Sequence, residues 1–243
     1  MKLALECPTP LLEMVQPFAD FDWILSHLVL KDEDYSKFYL ESTNVKFVDN
    51  SVNELGEPCS LDELKEAYEK VMGTYMVSPD WIGDSNRTVE TYKECIGKFG
   101  TEIIVPVLQG STFEEAIKCL NQYILLGCKN IAVPYDICSS KKDPPWLMGV
   151  RRALVVSKIP EALYVHLLGF DDMNEFFWYQ GKSNIGGIDT GVPVMLGLQG
   201  LDILDQLESK AKSTYGEMEK LELTQEAWSA ICRNLALLRK YLP

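Results

Sequence analysis

Residues 102–135 read EIIVPVLQGSTFEEAIKCLNQYILLGCKNIAVPY, and this stretch decides the fold. Glu102 to Gln109 is a strongly apolar run of the length of a buried strand. Thr112-Phe113-Glu114-Glu115 then opens a helix that runs to Leu126, where Gly127 stops it. Asn130 to Tyr135 is a second apolar strand. Strand, helix and strand in this order form the crossover that two parallel strands require.

The same rhythm extends in both directions. Strands are expected at Leu3 to Glu6, Trp23 to Leu30, Val45 to Asp49, Tyr75 to Ser78, Leu163 to Leu168 and Ile185 to Asp189. Ser60-Leu61-Asp62-Glu63 is a capping box, and Leu61, Leu64, Ala67, Tyr68 and Val71 follow at helical spacing until Gly73. Further helices are expected at Arg87 to Phe99, at about Pro145 to Val156, briefly near Met173 to Tyr179, and from Thr224 to Tyr241. Continuous apolar strands indicate a parallel sheet covered on both faces. About eight strands, most followed by a helix, fit a closed (β/α)8 TIM-type barrel better than an open sheet. The chain has 243 residues, and such a barrel takes about 250 as one domain. One domain over residues 1–243 is therefore expected, with the C-terminal helices packing on the barrel.

The composition agrees with an ordinary globular chain, 47% apolar and 24% charged. No run of 18 or more apolar residues is present, so no membrane partner is expected. The seven cysteines are scattered, with no CxxC pair, and the N-terminus has no signal-peptide pattern. Reduced thiols in a cytoplasm are the expectation. Cys119 and Cys128 read as small buried apolar side chains. With two histidines in the chain, no zinc site is visible and no cofactor is expected. The net charge of −13 argues against broad non-specific nucleic-acid binding. It leaves room for a local basic patch: Lys141, Lys142, Arg151, Arg152 and Lys158 lie close in sequence, and Arg233, Arg239 and Lys240 lie near the C-terminus.

In a barrel of this kind the active site lies at the C-terminal ends of the strands. The residues that close the apolar runs are Glu6, Asp49, Asp80, Gln109, Asp136, Gly169 and Asp189. One aspartate at such a place is commonly a turn or cap residue. Several converging on one mouth suggest divalent-metal binding, a two-carboxylate reaction at a glycosidic carbon, or plain polarity. His27 and His166, each inside an apolar run, read as core histidines. The aromatic run Phe176-Phe177-Trp178-Tyr179 reads as packing, whereas Trp81, directly after Asp80, is the better base-stacking candidate.

Five strand-end motifs carry a family resemblance. In order they are Phe47-Val48-Asp49-Asn50, Val77-Ser78-Pro79-Asp80, Val105-Pro106-Val107-Leu108-Gln109-Gly110, His166-Leu167-Leu168-Gly169 and Gly187-Ile188-Asp189-Thr190-Gly191-Val192-Pro193. Together they resemble the tRNA-guanine transglycosylase superfamily over roughly Asp49 to Pro193. The run from Val48 to Gly56 is similar to its smaller phage and bacterial branch, which inserts 7-deazaguanine bases into DNA. The resemblance implies that Asp189 is the nucleophile at C1′ of the target guanosine and that Asp49 is the second catalytic carboxylate, moving protons. It implies that Asp80 accepts from the N–H edge of the base, with Gln109 and Gly110 on the carbonyl side. Asn50 and Trp81 would add to the base pocket, and Val133 would offer a backbone contact. Guanine or a 7-deazaguanine such as preQ0 is then the base, and the target must leave its stack.

The chain departs from the family in three places. The Cys-rich zinc segment is absent, since Cys232 stands alone near the C-terminus. The basic stretch after the nucleophile is replaced by apolar Val194-Met195-Leu196-Gly197-Leu198. The glycine-rich loop after the second aspartate is replaced by Asn50-Ser51-Val52-Asn53. DNA is therefore expected rather than tRNA, in a bacterial host cytoplasm if phage-encoded, with a homodimer or partner subunit as a way to bind it. The same residues leave two alternatives open. One is a barrel that has lost catalysis and serves as a binding subunit; the other is a hydrolytic N-glycosylase or nucleosidase.

Overall fold

A computed structural model describes residues 1–140, 143–170, 172–204, 218 and 222–243 of the protein. Among the described residues, eight strands alternate with helices: β1 (Lys2–Leu5), β2 (Asp22–Leu25), β3 (Lys46–Asp49), β4 (Tyr75–Val77), β5 (Ile104–Val105), β6 (Asn130–Pro134), β7 (Tyr164–Leu168) and β8 (Ile185–Thr190). They form two four-stranded parallel sheets, ordered β1-β8-β7-β6 and β2-β3-β4-β5. Backbone hydrogen bonds also link the sheets. Next to β5, Leu108 N–H donates to Ala132 O and Ala132 N–H to Pro106 O, both at 2.8 Å. Before β2, Asp20 N–H donates to Leu3 O at 2.7 Å.

Alternation along the strands sorts side chains into two apolar clusters. Leu3, Leu5, Ile24, Val48, Ile131 and Val133 pack outward against the helices. Ala4, Phe21, Trp23, Phe47, Val77, Val105, Val107 and Ala132 form a second cluster, which draws on strands of both sheets. A continuously apolar strand is the expected outcome when both faces are buried.

The expected strand from Trp23 to Leu30 is corrected: β2 ends at Leu25, and Ser26–Lys31 is a helix. A short apolar run does not distinguish a buried strand from a buried helix. Leu25 is the last residue of β2 paired with β3, and its N–H donates to the Tyr35 hydroxyl at 3.1 Å. The run from Glu102 to Gln109 likewise keeps only two residues as regular strand, and Pro106 has no N–H with which to continue. Met173–Tyr179 is a 3-10 helix.

The capping box at Ser60 and Glu63 is present in both directions. The apolar segment Val192–Leu198 is a helix, and it lies against the C-terminal helix Gln225–Tyr241. Gly197 permits that approach, since a Cβ there would fall 2.5 Å from Ile231 N.

Arg152 does not belong to a basic surface patch. It is fully buried, with Nε and Nη2 2.5 and 2.6 Å from the two Glu175 oxygens. Its Nη1 donates to Leu168 O and Gly169 O at the end of β7. Lys141 and Lys142 lie outside the described residues. Cys119 and Cys128 are buried, and all seven cysteines are free thiols. Among the described residues, no helix is long and apolar enough to cross a membrane.

Candidate active site

A cavity of about 130 Å³ opens where the strands end. Glu6, Asp49, Asp80, Gln109, Asp136, Gly169 and Asp189 all line it, so every residue that closes an apolar run reaches one space. Glu54 joins them from the short helix Val52–Leu55. Among the described residues, six carboxyl groups thus face the cavity, and no lining residue is Lys, Arg or His.

This crowding has electrostatic consequences. Burial, then Asp189, Glu54 and Asp49, hold the Glu6 carboxyl well above the usual carboxylate range. Glu6 also shares a hydrogen bond with Asp189. Burial and then Glu54 do the same to Asp49, against the pull of a hydrogen bond from Ser51 N–H at 2.7 Å. Burial, with Asp189 adding to it, pushes Glu54 up to about 7. Desolvation and like charges both disfavour the ionised form.

The turn after β3 builds much of the site. Asp49 accepts from Ser51, and Asn50 Oδ1 accepts from Val52 N–H at 3.0 Å. Ser51 is left-handed at φ 60°, which is uncommon for a residue with a side chain. Its hydroxyl lies 3.1 Å from that of Ser26, which helps hold the conformation. The turn launches the short helix that carries Glu54 into the cavity.

Asp80 is clasped from two sides. Asn50 Nδ2 donates to Oδ1 at 2.8 Å, and Gln109 Nε2 donates to Oδ2 at 2.6 Å. Gln109 is itself oriented by Gly83 N–H, which donates to its Oε1 at 3.0 Å. Burial pushes the Asp80 carboxyl up to about 6, even though the two amides favour its ionised form.

Asp189 is held by a histidine. His166 Nε2 lies 2.6 Å from Asp189 Oδ1. The His166 ring stacks on Trp23 at 4.3 Å and 3°.

Four expected base-pocket residues stand back from the cavity wall. Asn50 lies behind Asp80 as its donor. Gly110 packs beneath the helix Phe113–Leu125, where a Cβ would fall 2.5 Å from Ala116 N. Val133 is buried in the outer cluster, and its carbonyl accepts from Arg152 at 3.4 Å. Trp81 is covered by the Arg87 guanidinium, 3.1 Å from its ring centroid, and its Nε1–H donates to Thr91. Its neighbour Ile82 lines the cavity instead.

Two contributors escape a reading of the sequence as a line. Glu54 is one, because its direction depends on the strained turn at Ser51. His166 is the other, because its partner is set by strand register. His166 pairs with Gly187, two residues before Asp189 on the neighbouring strand. Among the described residues, no group of three or more His, Cys, Asp or Glu side chains is placed to hold a metal ion.

No model of a known protein family matches the chain. A search of curated proteins finds no match either. The likeness to transglycosylases is carried by the strand-end motifs alone.

Proposed function

We propose that the chain is a base-exchanging glycosyltransferase on a (β/α)8 barrel without a zinc subdomain. It replaces guanine in a nucleic acid, DNA rather than tRNA, with a 7-deazaguanine base such as preQ0. One observation carries the reading: Asp189, Asp49 and an amide-clasped Asp80 line a single cavity. For the barrel, the supporting facts are the β/α alternation and the hydrogen bonds that link both sheets.

The chemistry follows from the residue types. The Asp189 carboxylate attacks C1′, and the C1′–N9 bond breaks with its electron pair going to the leaving guanine. Burial and Glu54 hold the Asp49 carboxyl well above the ordinary carboxylate range, which suits it to give a proton to that base. The incoming deazaguanine returns a proton to Asp49 and attacks C1′ in turn. The bond from C1′ to Asp189 then breaks, and the carboxylate is regenerated. Two displacements give net retention. Asp80, when ionised, accepts from the N–H edge of guanine, and a base lacking those donors leaves the buried carboxylate with its two amide donors alone.

The acidic mouth also constrains the substrate. The carboxylates that remain ionised repel phosphate, and no described lining residue is a cation, so the nucleoside enters while the backbone stays outside. The test is exchange of labelled guanine into single- and double-stranded DNA. Incorporation that is lost in Asp189→Asn supports the reading; incorporation that persists there overturns it.

A further inference from the structure

We infer that His166 is a positioning residue for Asp189, fixing one carboxylate oxygen so that the other addresses C1′; this rests on Asp189 being the nucleophile of the proposed exchange. The register of β7 and β8 makes the contact. His166 pairs with Gly187 and Leu168 with Asp189, so the two side chains lie diagonally on adjacent strands. His166 Nε2 reaches Asp189 Oδ1 at 2.6 Å. It is the one nitrogen donor to that side chain among the described residues.

The ring has little freedom to turn. Trp23 lies parallel beneath it at 4.3 Å, Phe47 lies at 5.8 Å and 22°, and Phe21 meets it edge-on at 5.7 Å and 84°. Gly187 lets Phe21 come this close, because a Cβ there would fall 3.1 Å from the Phe21 ring. His166 is fully buried, and its Nδ1 has no hydrogen-bond partner among the described residues. A buried unpartnered polar atom is costly. Stacking alone would be served by phenylalanine without that cost. The imidazole is therefore explained by its other nitrogen, which donates to Asp189. A nucleophile must sit within a narrow range of distance and angle, and a carboxylate free to rotate loses that range.

Two variants separate the hydrogen bond from the stacking. His166→Phe keeps an aromatic ring and removes the donor. His166→Gln removes the ring and keeps an N–H donor at similar reach. In exchange of labelled guanine into DNA, His166→Phe is expected to lower kcat about a hundredfold, with KM for the base within about threefold. His166→Gln is expected to recover at least tenfold of that loss. Wild-type kcat in His166→Phe, or no recovery in His166→Gln, overturns the inference.

Nitrogen NMR of 15N-histidine-labelled wild-type protein answers independently of how the variants fold. The chain has two histidines, so a His27 variant assigns both signals. A proton on Nε2 of His166, perturbed in Asp189→Asn, is expected. An unprotonated Nε2 overturns the inference. Asp189→Asn is assayed in parallel. If it retains exchange, the transglycosylase reading falls; if it is inactive while His166→Phe is fully active, only the positioning role falls.

Discussion

Gln109 donates to Asp80 at 2.6 Å while Gly83 N–H fixes the opposite end of the same amide. The carboxylate is thus held by a side chain that is itself held by backbone. Removing the donor leaves Asp80 buried with Asn50 as its remaining amide donor. Gln109→Leu is expected to weaken binding of guanine at least tenfold, with the thermal midpoint little changed. Asp80→Ala is expected to weaken it further, by roughly 2–3 kcal/mol, since a charge-assisted contact is lost. Calorimetric titration with guanine checks both, and an unchanged affinity in Asp80→Ala removes Asp80 from base recognition.

Base binding is expected to depend on pH through the same residue. Asp80 sits at about 6 and must be ionised to accept two N–H donors. Affinity for guanine is therefore expected to hold above about pH 7 and to fall roughly tenfold per unit well below pH 6. A flat profile between pH 5 and pH 8 would contradict the assignment.

Folding stability is expected to move with pH in the direction opposite to most acid denaturation. Burial and like charges raise Glu54 to about 7, and Glu6 and Asp49 well above their usual range. The folded state then binds more protons than the unfolded state between about pH 4.5 and pH 7, so stability falls as pH rises through that window. The midpoint of thermal unfolding is expected to be higher at pH 5.5 than at pH 8, and Glu54→Gln should reduce the difference. The same midpoint at both pH values would show that the cavity carboxyls are not mutually destabilising.

Gly110 and Glu175 test packing rather than recognition. Gly110→Ala places a methyl 2.5 Å from the backbone of Ala116, so it is expected to cost about 1–3 kcal/mol of stability. Glu175→Ala strands a buried arginine that also grips the end of β7, and is expected to cost about 3–5 kcal/mol. Urea unfolding measures both. A Gly110→Ala protein of normal stability and reduced base affinity would return that residue to the base pocket.

The strand-end residues were legible because a buried parallel strand is an apolar run that must stop where the chain meets water. Each stop was marked by Glu6, Asp49, Asp80, Gln109, Asp136, Gly169 or Asp189, and all of them line the cavity. The chain beyond a strand end was less legible. The run from Trp23 to Leu30 concealed a helix start, since apolar residues serve both forms equally. Arg152 resembled a surface cation because its partner Glu175 lies 23 residues on, in another element. His166 was correctly placed in the core, yet its bond to Asp189 depends on a strand pairing that no local pattern specifies. Trp81 was adjacent in sequence to Asp80 but turns toward Arg87 and Thr91.

The proposed exchange requires Asp189 to form a covalent bond to the sugar. The direct measurement is mass spectrometry of the denatured protein after incubation with a guanine-containing DNA oligonucleotide. The expected result is a protein–DNA adduct whose linking peptide contains Asp189, absent in Asp189→Asn, and discharged when a 7-deazaguanine base is added. An adduct that maps to another residue, or full base exchange by Asp189→Asn, would contradict it.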